Sequence, residues 1–238
     1  MGITALLYHL VGTNLSPEKT SYFVPKETLY RQWLWLKRWG YNSITVYQLY
    51  LAKQGKITLP LKPLLITFDD GYQDTFVQAM PIAESLGLKL TVFITAGKLG
   101  DPFGLVGTCG EGYPLMSAED LQKMVAKGHD IQSHGLTHTK LPCLNDTSLR
   151  HELKGSRKIL EEAIGREIVA LAYPHGKTDE RVMRFCAETG YSLGFLSKKD
   201  KQGLSNKNLA IERISINRYH PAPLILKLRL AFRRKYTT

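Results

Sequence analysis

The sequence predicts a single α/β domain whose mostly parallel sheet curls toward a barrel. Three observations lead there. Short apolar runs alternate with helical patterns every ~30 residues, the spacing of repeated βα units. The polar clusters able to do chemistry fall just past the ends of predicted strands. The 238-residue chain shows neither a linker nor an internal repeat. A chain of this length suits one barrel and buries enough surface to fold without a disulfide or metal staple.

The elements follow in order. Ile3–Tyr8 is a short apolar run and reads as a buried strand. From Lys26 to Trp39, Leu29, Trp33 and Leu36 recur at helical spacing, and Gly40 ends the pattern. Ser43–Val46 reads as a strand leading into a helix that runs to about Lys53. Leu64–Phe68 is a strand that runs straight into Asp69-Asp70-Gly71. A helix from about Asp74 to Leu86 stops at Gly87, and Leu90–Thr95 is the next buried strand. Gly97–Pro114 is a long Gly- and Pro-containing loop, and loops of that length in compact domains are often functional. Ser117 with Asp120 three residues later has the pattern of a capping box, opening a helix that ends at Gly128. His129–Ser133 is a strand, Leu149–Ile164 a helix closed by Gly165, and Ile168–Ala172 a strand ending at Tyr173-Pro174-His175-Gly176. Asp179–Glu188 is helical, while Ser192–Phe195 and Ile211–Ile216 complete the sheet.

Composition narrows the function classes. The chain carries 32 Lys and Arg against 21 Asp and Glu, a net charge of +11. Nucleic acid, anionic lipid or an acidic glycan would each suit that balance, as would a plain solvated basic surface. No aromatic–basic module supports nucleic acid, which is the least favoured partner. Cys109, Cys143 and Cys186 are an odd number without CxxC spacing, which argues against a disulfide framework or a cysteine zinc site. Free thiols and the lack of a secretory pattern in MGITALLYHL point to a cytoplasmic protein, unless an export segment was trimmed. No stretch reaches the ~18 apolar residues of a membrane span.

Three polar clusters follow three strands: Asp69-Asp70, His134 with His138, and Tyr173-Pro174-His175-Gly176. In a βα barrel the carboxyl ends of the strands converge on one face, where catalytic groups gather. Taken alone, Asp69-Asp70 before Gly71 reads as an Asx turn or helix cap. Together with the histidines, the two carboxylates acquire separate tasks, one binding a metal and the other taking a proton. Asp70, His134 and His138 offer one oxygen and two nitrogens, an open three-ligand set typical of catalytic metal sites. Amide hydrolysis would then use Asp69 as base, the backbone N–H of His175 as oxyanion donor, and a histidine as acid. His9, His175 and His220 compete for that last role.

These residues make the chain recognisable. Thr67-Phe68-Asp69-Asp70-Gly71 and His134-Gly-Leu-Thr-His138 resemble the first two signature motifs of the polysaccharide deacetylase family (NodB homology, carbohydrate esterase 4). Tyr8-His9, Leu90–Ile94 and Ala172–Gly176 fit as well, with the subgroup of biofilm poly-N-acetylglucosamine deacetylases nearest in pattern. The resemblance spans roughly Leu7 to Ile216. It implies a distorted (β/α) barrel, Asp69 as base, Asp70, His134 and His138 as ligands of a divalent ion (zinc expected), and an acetylated glycan or lipid-linked sugar as substrate. His175 takes the position whose amide faces the oxyanion, where an aromatic residue is more usual. Three departures stand out. Gly135 follows the first histidine in place of Ser or Thr. Ala172 stands where many members have a base-orienting arginine. Ile214-Ser215-Ile216 lacks the late histidine. We therefore expect His9 to serve as the acid and Arg213 to replace the missing arginine.

The catalytic domain is expected over 1–220. Residues 221–238 are expected to form a basic amphipathic tail helix, either packed on the barrel or resting on an anionic membrane at its cytoplasmic face. The leading expectation is N-deacetylation of an N-acetylated sugar. The alternatives are O-acetyl ester hydrolysis and an inactive sugar-binding barrel.

Overall fold

A computed structural model describes residues 3–12, 22–108, 110–198 and 203–217. In chain order the elements are β1 (Thr4–Tyr8), β2 (Leu10–Val11), β3 (Phe23–Val24), α1 (Lys26–Arg38), β4 (Asn42–Ile44), α2 (Val46–Lys53) and β5 (Pro63–Phe68). After a wide π turn at Thr75–Ala79 come α3 (Met80–Ser85), β6 (Thr91–Ile94), α4 (Ala118–Ala126), β7 (Asp130–Ser133) and α5 (Asp146–Ile164). The last are β8 (Ala170–Ala172), α6 (Glu180–Glu188), β9 (Leu193–Phe195) and β10 (Ile214–Ser215). The expected tail helix, His220 and Cys109 lie outside the described residues. Among the described residues no helix is long and apolar enough to cross a membrane.

The main sheet runs β10-β1-β5-β6-β7-β8-β9, with β4 also paired to β5, and every pair is parallel. Its two edges meet. Ile211, just before β10, bridges Phe195 at the end of β9, and the Leu196 N–H donates to the Ile211 carbonyl at 2.8 Å. The sheet is thus curled into a distorted barrel, as the sequence predicts.

Strand alternation divides the core in two. Leu64, Ile66 and Phe68 of β5 pack with Leu6, Tyr8, Trp33 and Val92 in a cluster between sheet and helices. Leu65 of the same strand packs with Ala5, Phe93, Ala170, Ala172 and Phe195 in a second cluster inside the barrel. Extending the alternation, Thr67 and Asp69 continue the inner row.

Three departures from the predicted elements have local causes. The helix expected over Asp74–Leu86 is broken into the π turn and α3. Pro81 lacks an N–H and cannot bond back one turn, so the preceding turn widens. The strand expected over Ile168–Ala172 shortens to β8 because the Gln132 side-chain oxygen accepts from the N–H groups of Val169 and Ala170 at 3.0 and 2.9 Å. Of Ile211–Ile216, only Ile214–Ser215 is regular strand. The expected box at Ser117 and Asp120 is present, and a second one, at Thr45 and Gln48, opens α2.

Candidate active site

The site lies past the carboxyl ends of β1, β5, β7 and β8. Its cleft, about 210 Å³, is lined among others by His9, Asp69, Asp70, His134, His138 and His175. The two aspartates leave β5 in different directions. Asp69 follows the inner row, whereas Asp70 turns into the left-handed region at φ 75° ahead of Gly71. Adjacent residues with opposed side chains can therefore take separate tasks.

Asp70 faces the histidines. Its Oδ1 is 3.2 Å from Nε2 of His134 and 3.3 Å from Nε2 of His138. The His134 Nδ1 lies 2.9 Å from the Ala172 carbonyl. A carbonyl only accepts, so Nδ1 carries the hydrogen, and in the neutral ring the Nε2 lone pair points toward the Asp70 oxygen. Such an outer bond is what orients a metal-ligating imidazole. One ligand atom from each of the three residues falls within 4.8 Å of the others. Protons on the two Nε2 atoms or one cation shared by the three residues would each satisfy these contacts, and the donor set of two imidazoles and a carboxylate fits a divalent ion. Burial opposes the charged form of Asp70, yet hydrogen bonds from His134 and His138 in their protonated forms, with the charge of His9, hold its carboxyl well below the usual range. Burial likewise opposes charge on His134, while the Asp69 and Asp70 carboxylates raise it.

Asp69 meets Arg213. The guanidinium donates to both carboxylate oxygens, from Nη1 at 2.6 Å and Nη2 at 2.7 Å, the geometry of a bidentate pair. Arg213 in turn donates from Nε to the Leu196 carbonyl at 3.0 Å and from Nη1 to Thr67 Oγ1 at 3.1 Å. Its guanidinium carbon lies 5.2 Å from the centre of the Phe93 ring. Burial would raise the Asp69 carboxyl, and the charge of Arg213 overrides it and holds the group below its ordinary value. Arg213, expected to compensate for Ala172, thus meets both oxygens of Asp69.

The histidines separate. His9 follows β1, lines the cleft and packs on Tyr22 with ring centres 4.8 Å apart. Its Nδ1 is buried with no hydrogen-bond partner among the described residues. Burial lowers its pKa, against the pull of Asp70 and Asp69. His175 sits at φ 57° in the turn after β8, its side chain exposed and its Nε2 3.0 Å from the His138 carbonyl.

Backbone strain concentrates here. Of the four non-glycine residues with positive φ among the described residues, Asp70, His138 and His175 belong to the cleft. Left-handed conformations in such residues persist only where the surroundings enforce them, and they cluster at functional sites. Sequence reasoning missed Glu152, whose buried carboxylate holds the connection between His134 and His138. A signal was available: Glu152 sits in the apolar stripe of α5 with Leu149, Leu153 and Leu160. Ser197, Lys198 and Ser215 also line the cleft without any motif to mark them.

A curled parallel sheet with carboxylates and imidazoles gathered at its carboxyl ends defines a barrel enzyme with its active face there. The chain belongs to the polysaccharide deacetylase family, whose model matches residues 56–194. A Bacillus subtilis protein bearing that family's name, YxkH, is 25% identical over 212 residues, covering 89% of this chain and 70% of its own. The poly-β-1,6-N-acetyl-D-glucosamine N-deacetylase of Staphylococcus aureus is 25% identical over 203 residues, 81% of this chain and 67% of its own. The structure of the Streptococcus pyogenes deacetylase PplD, in complex with acetate, superposes with a TM-score of 0.79 at 23% identity, covering 95% of this chain and 97% of that one. By its name the Staphylococcus aureus relative is an N-deacetylase, a hydrolase acting on amide bonds.

Proposed function

We propose that this protein removes N-acetyl groups from a sugar polymer of the poly-N-acetylglucosamine class. The observation that carries the reading is the convergence of Asp70 Oδ1 with the Nε2 atoms of His134 and His138 in the cleft where Arg213 orients Asp69. The Staphylococcus aureus relative, named for that polymer, supports the substrate class.

Asp70, His134 and His138 would hold one divalent cation, zinc being expected from the donor set. Such an ion lowers the pKa of water and polarises an acyl carbonyl. Asp69 takes a proton from the attacking water as the water oxygen bonds to the acetyl carbon. Arg213 keeps both lone-pair edges of that carboxylate fixed, so Asp69 reaches the water in one orientation. The negative charge that develops on the acetyl oxygen is met by the backbone N–H of His175, held in the left-handed turn after Pro174. His9 delivers a proton to the departing nitrogen, the C–N bond breaks, and the products are acetate and an amino sugar. Of the three histidines considered for the acid, His9 is favoured because it lines the cleft and its Nδ1 is committed to no other group.

Acetate release from N-acetylated and O-acetylated glucosamine oligomers tests this, with the protein zinc-loaded, chelator-stripped and reloaded. Release from the amide substrate that disappears on stripping and returns with zinc is expected. Release only from the ester, or unchanged release after stripping, would overturn the reading.

A further inference from the structure

His134 and His138 are joined by Gly135, Leu136 and Thr137, a connection pinned from two sides. Its carbonyls at Gly135 and Leu136 accept from the N–H groups of Ala96 and Gly97 at 3.0 and 2.8 Å. Its donors go elsewhere. The Gly135 N–H bonds Ser133 Oγ at 3.1 Å, while the N–H groups of Leu136 and Thr137 donate to Glu152 Oε1 at 2.9 and 2.6 Å. The Thr137 hydroxyl spans both oxygens of the same carboxylate, at 3.2 and 3.1 Å. Glu152 comes from the middle of α5, is 4% exposed, and pairs with no Lys or Arg among the described residues.

A buried carboxylate without a cation is costly, and an apolar residue in that stripe would serve helix packing better. The connection it holds has two left-handed positions, easy for the glycine and strained for the histidine. Gly135 sits at φ +81° and His138 at φ 65°. A Cβ at Gly135 would come within 3.2 Å of Glu152 Oε1 and 3.3 Å of Pro174 Cγ, so the chain is drawn close against the carboxylate. Freed from it, the segment would relax toward ordinary backbone angles and carry the His138 ring away from Asp70.

We propose that Glu152 is a positioning residue for the metal site: its carboxylate fixes the His134–His138 connection in the shape that brings both Nε2 atoms onto Asp70, and so sets the affinity for the divalent cation. The inference rests on the reading that these three residues hold such an ion. It explains why a charged side chain occupies a core position of α5 beside a strained loop.

The test is calorimetric titration of the purified full chain with zinc alone, alongside thermal melts without metal. Glu152→Ala is expected to weaken zinc binding by about 10–100-fold, the usual cost of losing an outer partner of a metal ligand. Glu152→Gln, whose carbonyl oxygen can still take both N–H groups, should recover most of that affinity. Leu160→Ala, a buried change on the same helix away from the loop, should lower the melting temperature while leaving zinc affinity unchanged. Wild-type affinity in Glu152→Ala, or an equal loss in Leu160→Ala, would overturn the proposal and leave the metal site standing. A wild-type chain that binds no zinc would overturn both. If Glu152→Ala does not fold, Thr137→Val supplies the test. Losing one hydroxyl donor should weaken zinc by about 3-fold, and no change would overturn the proposal.

Discussion

The cleft past the carboxyl ends of the strands and the cavity at their amino ends are both lined by aspartate and histidine, yet their polar atoms are spent differently. The lower cavity is the larger, about 440 Å³ against about 210 Å³, and includes Tyr47, Lys89, His129, Asp130, Arg166 and Glu167. There, Asp130 Oδ2 accepts the Tyr47 N–H at 3.0 Å and the Thr91 hydroxyl at 3.2 Å, and Oδ1 accepts the Gln132 amide at 3.0 Å. His129 Nδ1 accepts the Leu90 N–H at 3.1 Å. These groups cap a helix start and tie strands together. In the upper cleft, two imidazole nitrogens and a carboxylate oxygen face one another, and the remaining carboxylate is aimed by an arginine. Volume does not distinguish the two ends. What does is whether lone pairs are met by donors or left converging.

Four measurements would break or sharpen that contrast. Asp69→Asn should lower deacetylation by on the order of 10²–10⁴, because an amide cannot take the proton from water, while zinc content stays unchanged. Asp130→Asn should leave turnover near wild type and reduce stability instead. Equal activity losses in the two variants would erase the distinction between the ends. Arg213→Met leaves the Asp69 carboxylate buried and unpaired, with an expected loss of about 3–5 kcal/mol in denaturant unfolding. A stable variant would mean that water or another donor replaces the guanidinium.

The third concerns pH. Burial pushes the Asp130 carboxyl up to about 6. Between the ordinary carboxylate range near 4 and that value, the native state binds more protons than the unfolded chain. Stability from this group is therefore present at low pH and lost as pH rises through about 6, by on the order of 2 kcal/mol. Denaturation curves at pH 4 to 7 should show that slope in the wild type and a flatter one in Asp130→Asn. The smallest effect is expected for Arg166→Ala at the lower cavity. Its kcat/KM for an acetylated oligomer should stay within about 2-fold, as for most surface changes away from a site. A large drop would make the lower cavity part of the catalytic machinery.

Much of the fold is legible in the sequence because strand and helix periodicities are local. The apolar runs at Leu64–Phe68 and Leu90–Thr95, the stops at Gly40, Gly87 and Gly165, and the Ser117–Asp120 box all signal their elements directly. What the sequence hides is competition between distant groups. Nothing near Ile168 announces that Gln132 will take its strand's N–H groups. The two-residue strands β2 and β3 are too short to have a period, and the Pro81 effect on the turn before it is easily lost in a helical pattern.

The candidate site divides in the same way. Asp69, Asp70, His134 and His138 were marked by the sequence itself, since adjacent carboxylates and closely spaced imidazoles after apolar strands are costly without a task. That Asp69 and Asp70 would separate also follows from strand alternation. Arg213 is already the arginine expected from the sequence to make up for Ala172. What only the tertiary structure decided is its two-oxygen grip on Asp69, reached because β10 comes to lie beside β1 and brings Arg213 across 144 residues of chain. The same holds for Glu152, whose place in the apolar stripe of α5 marks it as buried but whose hold on the His134–His138 loop only packing supplies. A sequence records the groups that bind and react. The contacts that aim them are made by packing, which joins residues far apart in the chain.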